Sequence, residues 1–121
     1  MQILETVIEV LRMIVRLLRF GILPDPGDMK PERIQVWLAE IGEGWSLVGD
    51  GEAIVRTYVC PDAQQAIQLT RKVGKRCSEL GYYPSVLATR DNEVTVQLST
   101  SEVGRLTERD MAAAVAIDDC V

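Results

Sequence analysis

Between Val94 and Leu98 every second side chain is apolar, whereas between Ala63 and Leu80 the apolar ones recur every third or fourth position. The first spacing predicts a half-buried strand and the second an amphipathic helix. The helix opens at Pro61 and Asp62, with Asp62 and Gln65 at N-cap and N3 spacing, and Gly81 stops it. Its inner face is expected to be Ala63, Ala66, Ile67, Thr70, Val73, Gly74, Cys77 and Leu80. Upstream, Pro31 suits a first helical position, and Ile34, Trp37 or Leu38, and Ile41 keep helical spacing until Gly42 and Gly44. "WSLV" and "AIVRTYV" flank "GDGE" and predict a hairpin. "VLATR" and "EVTVQLS", separated by Asp91 and Asn92, predict a second one. "LTERDMAAAVAIDD" closes the chain as an alanine-rich helix with Thr107 and Asp110 as its capping pair. The order helix, two strands, helix, two strands, helix implies an α+β fold: a four-stranded antiparallel sheet with the helices packed on one face.

Residues 2–20, "QILETVIEVLRMIVRLLRF", follow a different pattern. Twelve of them are apolar, and the polar Gln2, Glu5, Glu9, Arg12, Arg16 and Arg19 fall at steps of three and four, which makes one narrow polar stripe. Acidic residues come first and basic ones last, as the helix dipole prefers, so an extra N-terminal amphipathic helix is expected. It lacks a cationic leader and carries five charges, which disfavours both a secretory signal and a spanning helix. Membrane contact by this helix is not favoured, because interfacial helices carry a broad cationic face. The favoured reading is burial against another protein surface, a second copy or a partner, with Leu11, Ile14 and Leu18 among the contact residues. The alternative is a helix folded back on its own domain. "GILPDPGDMKP", with three prolines and two glycines, reads as a linker over 21–30, leaving 31–121 as the folded domain.

Composition narrows the functional classes. A chain of 121 residues, 47% apolar and 26% charged, suits one compact domain. The net charge of -5 argues against nucleic-acid binding, which draws on clustered lysine and arginine. Arg71, Lys72, Lys75 and Arg76 form the one basic run, read as a solvated helix face. Three separated cysteines, Cys60, Cys77 and Cys120, without any histidine, suit reduced, packed thiols and neither a disulfide framework nor a structural metal site. No cofactor is called for. The absence of a signal or spanning segment favours a cytoplasmic or chloroplast stromal setting.

Several phrases in order, Gly44-Trp45, "GEAIVRTYVCPDAQQAI" and "VTVQLSTSEVGRLTERDMAAAVAID", resemble the pterin-4a-carbinolamine dehydratase family, also known as the dimerisation cofactor of a hepatocyte transcription factor. The resemblance covers about residues 31 to 119. It places the family's catalytic positions on Ser78, Tyr82, Tyr83 and Ser101, where the family carries an acidic residue, a histidine pair before proline, and a third histidine. Pro84 is kept, Glu102 stands at the family's aspartate, and Arg105 replaces a glycine.

The family reaction removes water from a 4a-hydroxytetrahydropterin, so one group must accept a ring proton and another must protonate the departing hydroxyl. Histidine, titrating at about 6.5, does both near neutrality, and tyrosine at about 10 does not. With each such group contributing on the order of 10² to 10⁴-fold, the resemblance implies a catalytically degenerate member that is not an enzyme and has no catalytic residues. Its expected role is protein binding, most concretely assembly of Rubisco in carboxysome-bearing or chloroplast lineages, through Tyr82, Tyr83, Pro84 and Glu102. The alternatives are a residual dehydratase using Tyr82 or Glu102, and a structural subunit docked to a larger complex by the N-terminal helix. The family's self-association implies a homo-oligomer.

Overall fold

The computed structural model describes residues 29–121. The expected helix over 2–20, most of the linker, and Leu11, Ile14 and Leu18 lie outside the described residues.

The elements follow the expected order. Helix α1 (Pro31–Ile41) begins with Pro31, whose missing N–H matters least at that position, and buries Ile34 and Trp37. Strands β1 (Ser46–Val48) and β2 (Ala53–Val59) pair antiparallel, with Ser46 opposite Val55 and Val48 opposite Ala53. Gly44, just before β1, is where the Arg56 guanidinium packs on the backbone: a Cβ there would lie 2.8 Å from the Arg56 Cζ.

Helix α2 (Ala63–Leu80) is the longest described element. The Asp62 carboxylate accepts the Gln65 N–H at 2.7 Å, which satisfies one of the free donors of the first turn. Its buried residues are Ala66, Val73, Cys77 and Leu80. Ala63 and Ile67, expected on the inner face, are exposed instead. The buried face, which packs on the sheet at β4 (Glu93–Leu98), is centred on Ala66, Val73, Cys77 and Leu80, at steps of seven, four and three, so Ala63 and Ile67 lie to one side of it.

Strand β3 (Val86–Arg90) pairs antiparallel with β4 across the Asp91-Asn92 turn, where Asp91 takes a positive φ of 53°. The sheet order is β1-β2-β4-β3. Strand β4 therefore inserts between β2 and β3, with Ile54 opposite Leu98 and Val59 opposite Glu93. Helix α3 (Glu108–Cys120) starts from a reciprocal capping box between Thr107 and Asp110, as the Thr107 and Asp110 spacing predicts.

One sheet face is the core. Ile54, Tyr58, Val94, Val96 and Leu98 are buried there against Val73 and Leu80 of α2 and Met111 and Ile117 of α3. Ala112, Ala113, Ala114 and Ala116 are all buried beside Met111 and Ile117, so small side chains fill much of the contact between α3 and its neighbours. The alternation of β4 follows the expected pattern, with Thr95 and Gln97 half-buried on the opposite face.

Candidate functional site

The site is built where α2 ends. Gly81 adopts the left-handed conformation with φ 66°, and the N–H groups of Gly81 and Tyr82 bond back to the carbonyls of Ser78 and Cys77 at 3.1 and 2.9 Å. This tight exit sends the two tyrosines in opposite directions. Tyr82 turns inward and is 4% exposed, while Tyr83 turns outward and is 83% exposed.

Tyr82 reaches the start of α3. Its hydroxyl donates to Asp110 Oδ1 at 2.7 Å. The other carboxylate oxygen accepts from the Thr100 hydroxyl at 2.7 Å and from the Thr107 N–H at 2.8 Å, and the Thr100 and Thr107 hydroxyls lie 2.7 Å apart. Asp110 thus caps α3 and anchors Tyr82 with a fully buried carboxylate. Burial pushes the Asp110 carboxyl above its ordinary range, against the opposing effect of the hydrogen bonds from Tyr82, Thr107 and Thr100. Burial, followed by the charge and hydrogen bond of Asp110, likewise raises the Tyr82 phenol well above its usual value.

Over this buried floor lies an open cleft of about 80 Å³, bordered by Tyr82, Tyr83, Ser99, Ser101, Glu102 and Arg109. Enclosing small-molecule pockets usually hold roughly 300–1,000 Å³, so this cleft is a shallow recess and not an enclosing pocket. Of the residues singled out in the sequence, Tyr82, Tyr83, Ser101 and Glu102 meet at this cleft. Ser78, exposed on the last turn of α2, and Pro84, half-buried beyond Tyr83, do not border it. Asp110 was legible only as a helix cap, and its bond to Tyr82, 28 residues away, has no local signal.

A second polar cluster also escaped the sequence. Asp118, near the end of α3, accepts from Trp45 Nε1 at 2.8 Å, from Arg56 at 3.1 Å and from the Tyr58 hydroxyl at 2.5 Å. The Arg56 guanidinium lies over the Tyr58 ring, 4.7 Å from its centre. Burial and the Asp118 hydrogen bond push the Tyr58 phenol upward. The cluster ties α3 to the first hairpin and does not border the cleft.

Among the described residues no group of three or more acidic, cysteine or histidine side chains could hold a metal ion. The three cysteines are unpaired; burial pushes the Cys77 thiol up to about 11. No helix among the described residues is long and apolar enough to cross a membrane.

These features define a helix-backed antiparallel sheet with an open polar cleft between the exit of its long helix and the start of its last one. The chain belongs to the pterin 4 alpha carbinolamine dehydratase family, whose model matches residues 27–120. A protein of Thermomicrobium roseum named "Putative pterin-4-alpha-carbinolamine dehydratase" is 38% identical over 71 residues, covering 59% of this chain and 73% of its own. A Gloeobacter violaceus protein with the same name, numbered 2, is 33% identical over 90 residues, covering 74% and 97%. In structure, a Brucella melitensis protein described as a transcriptional coactivator/pterin dehydratase superposes with a TM-score of 0.70 over 78% of this chain and 98% of its own. At 22% identity that likeness speaks to the fold.

The relatives correct one expectation. The absence of histidine implied a chain that is not an enzyme, yet the relatives matched over most of their length carry the name of an enzyme. The physical reason that the inference was too strong lies in the cleft. Losing imidazole removes one way of moving a proton, but hydroxyl groups and a carboxylate still border the same cleft.

Proposed function

We propose that the chain binds a 4a-hydroxytetrahydropterin at this cleft and dehydrates it with a site rebuilt without imidazole. The observation that carries the reading is the meeting of Tyr82, Tyr83 and Ser101, where the resemblance places the family's histidines, at one open cleft that also holds Glu102 and Arg109. The reaction breaks the C4a–O bond, releases the oxygen as water after protonation, and removes a proton from a ring nitrogen to leave a C=N bond. The Glu102 carboxylate is the proton acceptor in this reading. The exposed Tyr83 hydroxyl, or solvent reached through the open cleft, protonates the leaving oxygen. Tyr82 is not a donor to substrate, because its proton is held on Asp110 and burial opposes its ionisation. It supports the floor on which the ring lies.

The test is turnover of a 4a-hydroxytetrahydropterin, followed by absorbance. Dehydration above the buffer rate is expected, with Glu102→Gln lowering it at least tenfold, within the roughly 10² to 10⁴-fold span of one acid or base group. Installing Tyr83→His and Ser101→His together, at two exposed positions, is expected to raise the rate at least tenfold. A wild-type rate equal to buffer, or a Glu102→Gln rate equal to wild type, overturns the assignment.

The exposure of Tyr83 favours a second role beside the first. A phenol ring 83% exposed beside Pro84 is the kind of side chain that anchors protein interfaces. In this reading the chain also binds a protein partner, most concretely Rubisco, as an assembly factor. Purified Rubisco should be retained by the immobilised full chain, and retention should fall at least tenfold with Tyr83→Ala. No retention of Rubisco by the wild-type chain removes this role.

A further inference from the structure

We infer that a groove between the first turn of α1 and the turn joining β1 to β2 binds a small apolar α-amino acid, with Arg105 taking its carboxylate and Asp50 its ammonium. The groove holds about 310 Å³ and is lined by Pro31, Ile34, Gln35, Leu47, Asp50 and Gly51. That volume lies at the lower end of the range of roughly 300–1,000 Å³ for small-molecule sites. None of these residues borders the cleft of Tyr83 and Glu102, so the inference stands independently of what that cleft does.

Arg105 is the residue that lacks something. Its backbone is held on both sides: its carbonyl accepts the Thr100 N–H at 3.2 Å, and the N–H of Leu106 donates to the Gly51 carbonyl at 3.0 Å. The side chain is thereby brought to the Gly51 wall of the groove. A Cβ on Gly51 would lie 3.2 Å from Ile34 Cδ1 and 3.6 Å from Arg105 Nη2, so the glycine leaves the isoleucine and the guanidinium uncovered on the same side of the backbone. Arg105 is half-buried, its Nε is shut off from solvent with no hydrogen-bond partner, and it forms no ion pair among the described residues. A charge taken out of water is normally paired, because its desolvation is otherwise uncompensated. An arginine in this state is short of a counter-ion, and its planar fork of donors matches a carboxylate.

Asp50 decides which carboxylate. It immediately precedes Gly51 and lines the same groove, yet the two opposite charges on either side of that glycine form no ion pair with each other. They leave room for a ligand that carries both signs. Inorganic phosphate or a dicarboxylate would bring excess negative charge against Asp50, whereas a zwitterion offers each side chain its opposite. Ile34, which is buried, and Leu47, which is half-buried, supply an apolar wall for the ligand's side chain. An α-amino acid with an aliphatic or aromatic side chain combines these three features in one small molecule.

The experiment titrates the ¹⁵N-labelled full chain with L-leucine and L-phenylalanine and follows the backbone amides and the Arg105 Nε–H by NMR. Saturable shifts of the Gly51 amide and of the Arg105 Nε–H are expected with at least one of the two. Leucinamide, which lacks the carboxylate, and 4-methylpentanoate, which lacks the ammonium, should bind at least about tenfold more weakly than L-leucine. Arg105→Gln and Asp50→Asn should each weaken amino-acid binding by a similar factor. Asp50 is exposed on a turn, so its variant reads the site without disturbing the core. No saturable shift with either amino acid, shifts confined to Tyr83, Ser101 and Glu102, or an unchanged affinity in Asp50→Asn would overturn the inference. Binding of inorganic phosphate or 4-methylpentanoate as tight as that of L-leucine would assign the groove to a simple anion and overturn it equally.

Discussion

Asp110 carries more of the site than any residue that borders the cleft. Its carboxylate is fully buried, accepts from Tyr82, Thr100 and the Thr107 backbone, and still has its pKa raised, because burial outweighs those hydrogen bonds. An acid whose folded pKa lies above its unfolded value, about 3.9 for aspartate, holds its proton more tightly in the fold. The stability it contributes is therefore fully present below pH 3.9 or so and is lost as pH rises through the raised folded value. The stability of the wild type relative to Asp110→Asn should consequently be greatest near pH 4 and decline toward neutrality, as read from urea midpoints along a pH series. A difference that grows with pH would mean that the hydrogen bonds prevail over burial. Tyr82→Phe deletes one donor to this carboxylate without opening a cavity, and a loss of about 1–2 kcal/mol is expected.

At the scale of elements, α2 shows what local spacing can and cannot tell. Its start at Asp62, its bond to Gln65 and its stop at Gly81 were all legible, because a cap and a left-handed exit are set by residues three or four positions apart. Both hairpins and the Thr107–Asp110 capping box were legible for the same reason. The exposure of Ala63 and Ile67 was not, since helical periodicity marks a face and does not fix how wide an arc of it the neighbouring elements cover. The insertion of β4 between β2 and β3 and the convergence on Asp118 depend on contacts across the whole chain and leave no trace in any window of sequence. The α2 exit is directly testable. Gly81 at φ 66° admits a side chain only with strain, although no atom stands in the way of a Cβ. Gly81→Ala should cost about 1 kcal/mol in urea denaturation and, through displacement of both tyrosines, weaken the pterin binding proposed for the cleft. A stable variant with an altered cleft would show that the conformation serves the site alone.

Across the whole molecule, the Asp118 cluster joins the last helix to the first hairpin, bridging up to 73 positions in sequence. The sheet edge at β1 is only three residues long, too short to hold itself by ladder bonds, and Trp45 immediately before it is buried with its indole N–H on Asp118. The carboxylate therefore does for β1 what a longer strand would do by pairing. Removing it in Asp118→Ala leaves the Trp45 N–H and the Tyr58 hydroxyl without their acceptor and Arg56 without its counter-ion. The Arg56 and Asp118 side chains keep about a quarter of their surface in water, 28% and 27%, so solvent takes up part of the loss. A net cost of about 2 kcal/mol is expected, led by the two neutral donors. Asp119→Ala, at an exposed neighbour, should stay within about 0.5 kcal/mol. Urea denaturation followed by tryptophan fluorescence separates the two, and the native emission of Asp118→Ala should shift because Trp45 loses its partner. If Asp118→Ala and Asp119→Ala unfold at the same urea concentration, the first hairpin is held by its apolar contacts and the cluster only orients it.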